Sequence, residues 1–478
     1  MTSNHSFRVE RDSMGEVLVA NHCYWGASTQ RAIANFPVSS LRFNRAFIRA
    51  LALIKLAAAT VNLKQGILPP HIAKAIIQAS REAAEGRFDQ HFVVDIFQTG
   101  SGTSTNMNAN EVIAVRCREL LGKSIISGAG SATEKAIVHP NDHVNYGQSS
   151  NDVIPTAMHV AALSEINTRL LPALEKLSSS LGRKARQFRT VIKTGRTHLQ
   201  DATPVTLGQE FSGYKAQINA ARRACKAASN RLSKVALGGT AVGTGINTEQ
   251  GFAAETLTVL SGELGFSVRE ADNHFAAQAS IDDVVAVSAT LKSLAIALTK
   301  IGNDLRWMAS GPRAGLGEIV LPDLQPGSSI MPGKVNPVAL ESLLMVCARV
   351  IGNDATIAMA GASGNFELNV MLPVSAFALL ESIEILASSI ANLSEKCIDG
   401  LTATATGPAL VARSIALCTA LAPVIGYDLA AKIAKEAGTT GETIYDVARR
   451  QSALTLSDAE LKRILNPIVM TRPAKKPR

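Results

Sequence analysis

The chain has 478 residues, a formal net charge of +9, and a composition rich in Ala and Leu with only 4% aromatic residues. This length allows a large core and about two to four domains, and the composition favours packed helices over sandwiches or barrels. The composition argues against nucleic-acid binding, which would interleave basic and aromatic residues. It also argues against a membrane partner, because no apolar run reaches the length needed to span a bilayer and charged or polar residues interrupt each candidate.

Helices dominate the predicted elements. Apolar periodicity predicts helices over 46–63 and 73–84 and then five long helices, over 155–186, 207–235, 281–308, 337–360 and 372–398. The helix over 281–308 is apolar nearly all round, so we expect it to be buried on all sides. Helices of this length indicate a bundle that is buried further by oligomerisation.

Shorter elements follow residue 404 and suggest a separate C-terminal part. Ser457 and Glu460 are spaced as a capping box at the start of a final helix. We predict a mixed, mostly helical N-terminal domain over 1–147, a central long-helix domain over 148–406, and a small helical C-terminal domain over 407–478.

The cysteines and the first residues bear on location. The six cysteines are scattered and include no Cys-x-x-Cys pair, which predicts reduced thiols and offers no iron–sulfur spacing. The first eight residues lack the apolar core of a signal peptide. We therefore expect a cytoplasmic protein.

The polar run 98–106 is the first of four loops that contain candidate ligands. Its glycines allow a tight turn, and its hydroxyls follow at the start of a predicted helix. The free N–H groups of a helix N-terminus bind a carboxylate well, or the Ser and Thr side chains simply cap the helix. A dinucleotide loop is excluded, because no strand precedes the run and its glycine spacing is wrong.

The run 139–152 contains two kinds of candidate. His139 and His143 lie four apart, as paired metal ligands on a helix do, but Pro140 argues against a helix there and no third ligand is evident. The polar side chains at 149–151 are either neutral donors for an anion or another helix cap.

The remaining two loops carry a histidine and a lysine. His198 lies beside Thr197 before a long predicted helix, where it is either structural or a proton carrier near neutral pH. The run 327–337 has paired serines, a lysine and an asparagine between Gly and Pro, a composition suited to holding an anion. It is not a phosphate loop, because the spacing is one residue too long and Val335 stands where Ser or Thr should bind magnesium.

Taken together these loops resemble class II fumarase, within the fumarase/aspartase superfamily, over essentially the whole chain. The similar segments, in order, are 11–16, 24–27, 103–106, 197–198, 238–245, 327–337 and 366–370. The resemblance implies a mainly α, three-domain fumarase/aspartase fold. It also implies a homotetramer whose central helices form a twenty-helix core, with each active site taking one loop from each of three subunits.

The resemblance also implies a reaction and its residues. The substrates would be fumarate and L-malate, with Ser328 as the base at C3, His198 assisting at the hydroxyl, and Glu341 in a supporting role. The implied substrate ligands are Ser101, Gly102, Thr103, Ser149, Ser150, Asn151, Thr197, Ser329, Lys334, Val335 and Asn336. No cofactor and no metal is expected.

The alternative to a fumarase is an aspartate ammonia-lyase. The two differ in the leaving group, which is water in fumarases and ammonia in aspartases. The segments 98–103 and 139–142 resemble fumarase, because aspartases tend toward Gly-Gly-Ala-Gly-Thr in the first and begin the second with Asn. Some fumarases bind a second dicarboxylate at the second segment, here His139, Pro140, Asn141 and Asp142. The family often has a basic residue three positions earlier, where this chain has Ala136.

Overall fold

The computed structural model describes residues 6–123 and 138–473. Ala136 and the basic end of the chain from residue 474 lie outside these ranges.

The described part of the chain is mainly helical. Its α-helices are α1 (Ala27–Asn35), α2 (Arg45–Lys64), α3 (Pro70–Ala84), α4 (Thr103–Leu120), α5 (Ser150–Glu165), α6 (Leu171–Gln187), α7 (Leu207–Ser229), α8 (Phe252–Leu264), α9 (His274–Ala279), α10 (Asp282–Met308), α11 (Val338–Gly361), α12 (Leu372–Leu393), α13 (Thr406–Ala412), α14 (Ala422–Ile425), α15 (Tyr427–Thr440), α16 (Ile444–Arg449), α17 (Asp458–Ile464) and α18 (Pro467–Met470). Five π-helical residues, Ile166–Leu170, join α5 to α6, and another five, Ser394–Ile398, extend α12.

The strands are short and form two-stranded sheets. They are β1 (Phe7–Asp12), β2 (Gly15–Ala20), β3 (Ile192–Thr197), β4 (Gln200–Thr206), β5 (Lys234–Val235), β6 (Arg269–Glu270), β7 (Ile319–Val320), β8 (Gly364–Asn365), β9 (Leu368–Asn369) and β10 (Thr402–Ala403). The pairs β1–β2, β3–β4, β7–β10 and β8–β9 are antiparallel, and β5–β6 is parallel.

The five long predicted helices are all present, because their apolar periodicity is strong. The helix predicted over 207–235 was too long, since α7 ends at Ser229, where a short 3-10 turn leads into β5. The capping box at the start of α17 is confirmed, with reciprocal hydrogen bonds between Ser457 and Glu460.

The chain forms two compact units. The first comprises Met1–Leu171, Arg223–Ser293 and Ala348–Leu386, and the second comprises the remaining three segments. In the first unit α2 packs against α3, α5 and α8, and its Phe47, Leu51 and Ile54 side chains are fully buried. The predicted domain boundaries after residues 147 and 406 stay a prediction.

The second unit comprises Pro172–Arg222, Leu294–Cys347 and Ala387–Arg478. Its C-terminal helices enclose a core that includes Leu421, Ile433 and Val447, and Ile192 of β3 packs against that core. The hairpin β3–β4 is therefore anchored by helices that lie about 220 residues further along the chain.

Within residues 6–123 and 138–473, four helices are long and apolar enough to cross a membrane by length and composition alone: Arg45–Lys64, Asp282–Met308, Val338–Gly361 and Leu372–Ile398. The expectation that no apolar run reaches that length was wrong, because each helix contains an 18-residue window with no more than two charged residues. The first of these windows is 78% buried within the chain, but the window of α11 is only 39% buried.

The expectation that α10 is buried on all sides was also wrong for a single chain. Only 44% of its apolar window is buried, and Ile296 and Trp307 are both 55% exposed. Packing within the chain covers one face of the helix and leaves apolar side chains on another.

Candidate active site

The loop before α4 is built around glycines with little free space. Gly102 is the N-cap of α4 and has a φ of +74°, a left-handed conformation that favours glycine. At Gly100 an added Cβ would lie 1.8 Å from the carbonyl oxygen of Val370. The backbone N–H of Leu372 also donates to the Gly100 oxygen at 3.0 Å, so the segment before α12 holds this loop in place.

Three of the predicted ligands form one hydroxyl cluster in the first unit. The Oγ of Ser101 lies 2.8 Å from the Oγ1 of Thr103, which lies 2.6 Å from the Oγ of Ser150. Thr103 and Ser150 are the first residues of α4 and α5. Two helix N-termini thus meet at neutral hydroxyls, an arrangement suited to binding an anion.

The neighbouring predicted ligands have partly structural roles. Ser149 is the N-cap of α5, and its Oγ accepts a hydrogen bond from the backbone N–H of Asn151. The side-chain amide of Asn151 donates to the Ala241 oxygen at 2.8 Å. The capping interpretation is therefore confirmed for Ser149, and the role of this segment in binding an anion stays a prediction.

Asp152 is a site-supporting residue that the sequence analysis did not identify. Its fully buried carboxylate accepts hydrogen bonds from the backbone N–H groups of Ser149, Gly238 and Thr240 at 2.9–3.0 Å. Burial raises the pKa of Asp152, while these hydrogen bonds and the charge of Lys55 oppose the rise. The Ser-x-x-Asp spacing, a capping box, was the available signal.

The segment of the predicted second dicarboxylate site forms one π-helical turn, Pro140–Val144. The argument that Pro140 excludes a helix there was wrong, because proline is tolerated at the first helical position. The Nδ1 of His139 accepts from the backbone N–H groups of Asn141 and Asp142 at 3.2 and 3.1 Å. The Nδ1 of His143 accepts from the N–H of His139 at 2.9 Å.

These bonds give both histidines a structural use within the turn. Burial lowers the pKa of His143, and Asp142 opposes that shift. Within residues 6–123 and 138–473, no group of three His, Cys, Asp or Glu side chains is arranged to hold a metal ion.

Thr197 and His198 lie at the tip of the hairpin β3–β4 in the second unit. Thr197 pairs with Gln200, so His198 and Leu199 form a two-residue turn, with φ values of 56° and 61°. Such turns favour Asn and Gly, so a His-Leu pair is strained there. The sequence predicts a loop here and not a hairpin, because this strained turn lacks the usual turn residues.

Buried charges support the base of this hairpin. The Nζ of Lys193 lies 2.8 Å from Glu210 and 3.3 Å from Glu318, and Arg196 lies 3.0 Å from Glu318. Burial raises the pKa of Glu210, and the charge of Lys193 opposes the rise. These contacts join residues far apart in sequence, so the sequence offered no signal for them.

The Ser328 loop closes on itself through its backbone. The N–H of Gly327 donates to the Lys334 oxygen at 2.9 Å, and the amide of Asn336 donates to the Gly327 oxygen at 2.7 Å. The Oγ of Ser328 accepts from the backbone N–H groups of Ile330 at 3.2 Å and Met331 at 2.9 Å.

The charged side chains around this loop are available for binding. Lys334 and Glu341 are exposed, and neither side chain makes a hydrogen bond or ion pair with the described part of the chain. Ser329 and Val335 are exposed as well, while Asn336 is partly buried. Among the described residues of the second unit, no hydrogen bond joins His198 to the Ser328 loop.

The fold and these loops define a lyase. The profile of the family described as "Lyase" matches residues 15–352, and that described as "Fumarase C C-terminus" matches residues 417–472.

Similar proteins of known class indicate which kind of lyase this is. The chain is 51% identical to the class II fumarate hydratase of Halobacterium salinarum, and the alignment covers 98% of each chain. It is 48% identical to the class II fumarate hydratase of Xylella fastidiosa, over 98% of this chain and 97% of that protein. The crystal structure of class II fumarase from Schistosoma mansoni superposes with a TM-score of 0.93 at 39% identity, covering 98% of this chain and 100% of that chain. The chain belongs to the class II fumarate hydratase family, and its mainly α fumarase/aspartase fold is confirmed.

Proposed function

We propose that the protein catalyses the reversible addition of water to fumarate to give L-malate. The observation that carries the proposal is its near-complete alignment, at about half identical residues, with proteins named class II fumarate hydratase. The alternative, aspartate ammonia-lyase, is not favoured by these relatives.

The chemistry requires a base and a cage of donors. In the dehydration direction a weakly acidic proton leaves C3 of a dianion, and the resulting carbanion delocalises onto the adjacent carboxylate. An enzyme must therefore hold an additional negative charge while a base takes the proton and an acid assists the departing hydroxyl.

We assign the base to Ser328. A serine hydroxyl is ordinarily too weak an acid to act as an alkoxide, so its charged form must be stabilised. The two backbone N–H groups that reach its Oγ supply that stabilisation. The lone positive charge of Lys334 on the same loop would add to it when substrate fills the site.

The other proposed ligands would bind different groups of the substrate, according to their charge and their place in the fold. Lys334 and Asn336 would hold one substrate carboxylate, and the hydroxyl cluster of Ser101, Thr103 and Ser150 supplies neutral donors at two helix N-termini. Thr197 and His198, at an exposed hairpin tip, would bind the substrate hydroxyl and carry its proton.

Two further assignments rest on the family resemblance. Glu341 is in the first turn of α11 and has an exposed, unpaired carboxylate in the described structure, which would be free to orient a group of another subunit. The turn at His139–Asp142 would hold a second dicarboxylate, although its His139 Nδ1 is engaged with backbone N–H groups.

The functional protein, we propose, is a homotetramer whose active sites combine loops from three subunits. The long helices support association, since Met345 and Met359 of α11 are 68% and 70% exposed in one chain. Burying such faces against identical copies would complete the helical core.

Supplying L-malate and L-aspartate in separate reactions tests the function. Fumarate absorbs ultraviolet light and both substrates barely do, so absorbance reports the product of either elimination. We expect absorbance to rise with L-malate only. Fumarate formed from L-aspartate alone, or from neither acid, would overturn the proposal.

A further inference from the structure

Lys55 is a fully buried lysine that the proposed reaction does not use. It lies in the middle of α2, among apolar residues, with no exposed surface. Burying an apolar side chain stabilises a fold, whereas burying an ammonium group destabilises it unless the group is fully hydrogen-bonded. A lysine in this position therefore needs an explanation other than packing.

The ammonium group is saturated by three amide oxygens. Its Nζ donates to Asn106 Oδ1 at 2.8 Å, Asn145 Oδ1 at 2.8 Å and Gln148 Oε1 at 3.0 Å. An ammonium has three donors, and here each finds one acceptor. Burial lowers the pKa of Lys55 to about 7, against the opposing charge of Asp152. Loss of the proton would leave two N–H groups facing three oxygens, so this arrangement fits the charged form.

The three acceptors belong to the two loops that build the hydroxyl cluster. Asn106 is in the first turn of α4, three residues after Thr103, and Gln148 directly precedes the cap of α5, two residues before Ser150. Asn145 also accepts from the side-chain amides of Asn106 and Asn110 at 3.2 Å. One side chain from a third helix thus connects both helix N-termini.

We propose that Lys55 is a positioning residue that fixes the separation of the α4 and α5 N-termini, and with it the geometry of the Ser101–Thr103–Ser150 cluster toward a substrate carboxylate. The proposal rests on the proposed function, since the cluster is taken to bind a dicarboxylate. Lys55 does not touch the cluster hydroxyls and acts through Asn106 and Gln148.

The test replaces Lys55 by Met, which keeps the length and apolar stem and removes the donors. Misplacing binding groups by about an ångström lowers rates by about a hundredfold. We expect kcat/KM for L-malate to fall by about that factor, with the larger part in KM. The dissociation constant of succinate, a dicarboxylate that cannot react, should rise about tenfold in parallel.

Gln148→Met is the gentler second variant, because it removes one of three acceptors and leaves the lysine. It should shift KM and the succinate dissociation constant in the same direction by a smaller factor, and it keeps the proposal testable if Lys55→Met does not fold. Leu51→Ala, at another fully buried position of α2, is the matched control for loss of stability.

The outcomes are distinguishable. A rise in KM and succinate dissociation constant in the Lys55 or Gln148 variants, but not in Leu51→Ala, supports positioning. Unchanged constants per folded molecule in both variants, or an equal change in Leu51→Ala, overturn it. Failure of the wild-type protein to act on L-malate would overturn the proposed function instead, and succinate binding would still report on the cluster.

Discussion

The acidity of one hydroxyl decides whether Ser328 can remove a proton from carbon. Two backbone N–H groups point at its Oγ, and hydrogen bonds to a charged form lower the pKa of the group that carries it. The same two bonds would be formed with a neutral hydroxyl, but they gain most strength when the oxygen is negative. These two bonds therefore lower the pKa of the Ser328 hydroxyl in the direction that the proposed role as base requires.

Replacing Ser328 by Ala removes the proposed base and leaves the loop backbone closed through Gly327 and Lys334. Since general base catalysis contributes about 10²- to 10⁴-fold, we expect kcat for L-malate dehydration to fall by about a thousandfold. Initial rates of fumarate formation measure the effect, and size-exclusion chromatography checks the assembly.

Ser212→Ala is the control for this variant, because Ser212 is exposed on α7 and its hydroxyl donates to the Gln209 oxygen of its own helix. It should retain wild-type turnover. Comparable turnover in Ser328→Ala would remove the serine from the role of base.

We predict that His91 makes the first unit sensitive to acid. Its ring packs against the rings of Tyr24 and Phe88, it is buried, and its Nδ1 has no hydrogen-bond partner among the described residues. Burial, with a contribution from His22, lowers the pKa of His91 below its ordinary value of 6.5. As the pH falls below 6.5 the unfolded chain binds a proton that the folded one resists, so stability is lost in that range.

His91→Phe should therefore flatten the decline of the melting temperature between pH 7 and pH 5. One differentially bound proton contributes at most about 1.4 kcal/mol per pH unit. Calorimetric melting curves across this range measure the slope. His71→Gln, at an exposed histidine of α3, should leave the slope as in the wild type, and an unchanged slope in His91→Phe would show that another group controls the acid transition.

At the scale of elements, the loop before α4 is held between helices by close backbone contact. Gly100 faces the Val370 carbonyl, which follows β9, and there is no room for a Cβ between them. The fold thus uses a segment more than 260 residues away to set the position of Ser101 and its neighbours.

We predict that Gly100→Ala displaces this loop. Overpacking of this kind costs about 1–3 kcal/mol, and movement of the adjacent hydroxyls should lower kcat/KM for L-malate by about a hundredfold. Thermal unfolding and steady-state kinetics measure the two effects.

Gly262→Ala provides the contrasting variant. Gly262 lies in α8 with nothing within 4 Å of an added Cβ, so alanine there should stabilise the helix by about 0.5–1 kcal/mol and leave the kinetics alone. Wild-type kinetics in Gly100→Ala would mean that the loop tolerates displacement and that its position matters little.

The sequence predicted elements whose signal is local and repeated. The long helices follow from apolar periodicity, and the start of α4 at Thr103 follows from the Gly-rich turn before it. The hairpin that carries His198 was missed, because its tip adopts a strained turn without Asn or Gly. Its Lys193–Glu318 support was missed for another reason, since contacts between distant segments leave no local pattern.

The residues of the candidate site were likewise predicted only in part. The family resemblance implied Ser101, Thr103 and Ser150 as ligands, and the structure brings their hydroxyls together. Lys55 and Asp152 were not selected, because a lysine within an apolar helix and an aspartate in a helix cap have ordinary interpretations when their partners are unknown. Family resemblance supplied the roles of Ser328 and Glu341, which local chemistry alone does not distinguish from other loop residues.

For the whole molecule, the distribution of apolar surface argues for association. The windows of α10 and α11 are less than half buried in one chain, whereas that of α2 is 78% buried. A long helix that exposes an apolar face to water is less stable than one whose apolar face is packed. Association with a second copy of the chain is the simplest way to bury these faces. The question for function is whether association also completes the active site.

Hybrid assemblies answer that question. Thr103→Val and Ser328→Ala each remove one loop's function, so each variant alone should be nearly inactive. If a site takes these loops from different subunits, random co-assembly of the two variants restores about a quarter of the sites. Co-expression followed by L-malate assays measures the recovery.

Co-expression of Ser328→Ala with Lys334→Ala is the matched control, because both changes fall in the same loop and no hybrid site can be intact. Recovery near a quarter in the first pair and none in the second would establish shared sites. No recovery in either pair, with mixed assemblies demonstrated by differently tagged subunits, would mean that one chain supplies both loops. The exposed helix faces would then serve stability alone, and the proposed division of each site among three subunits would be wrong.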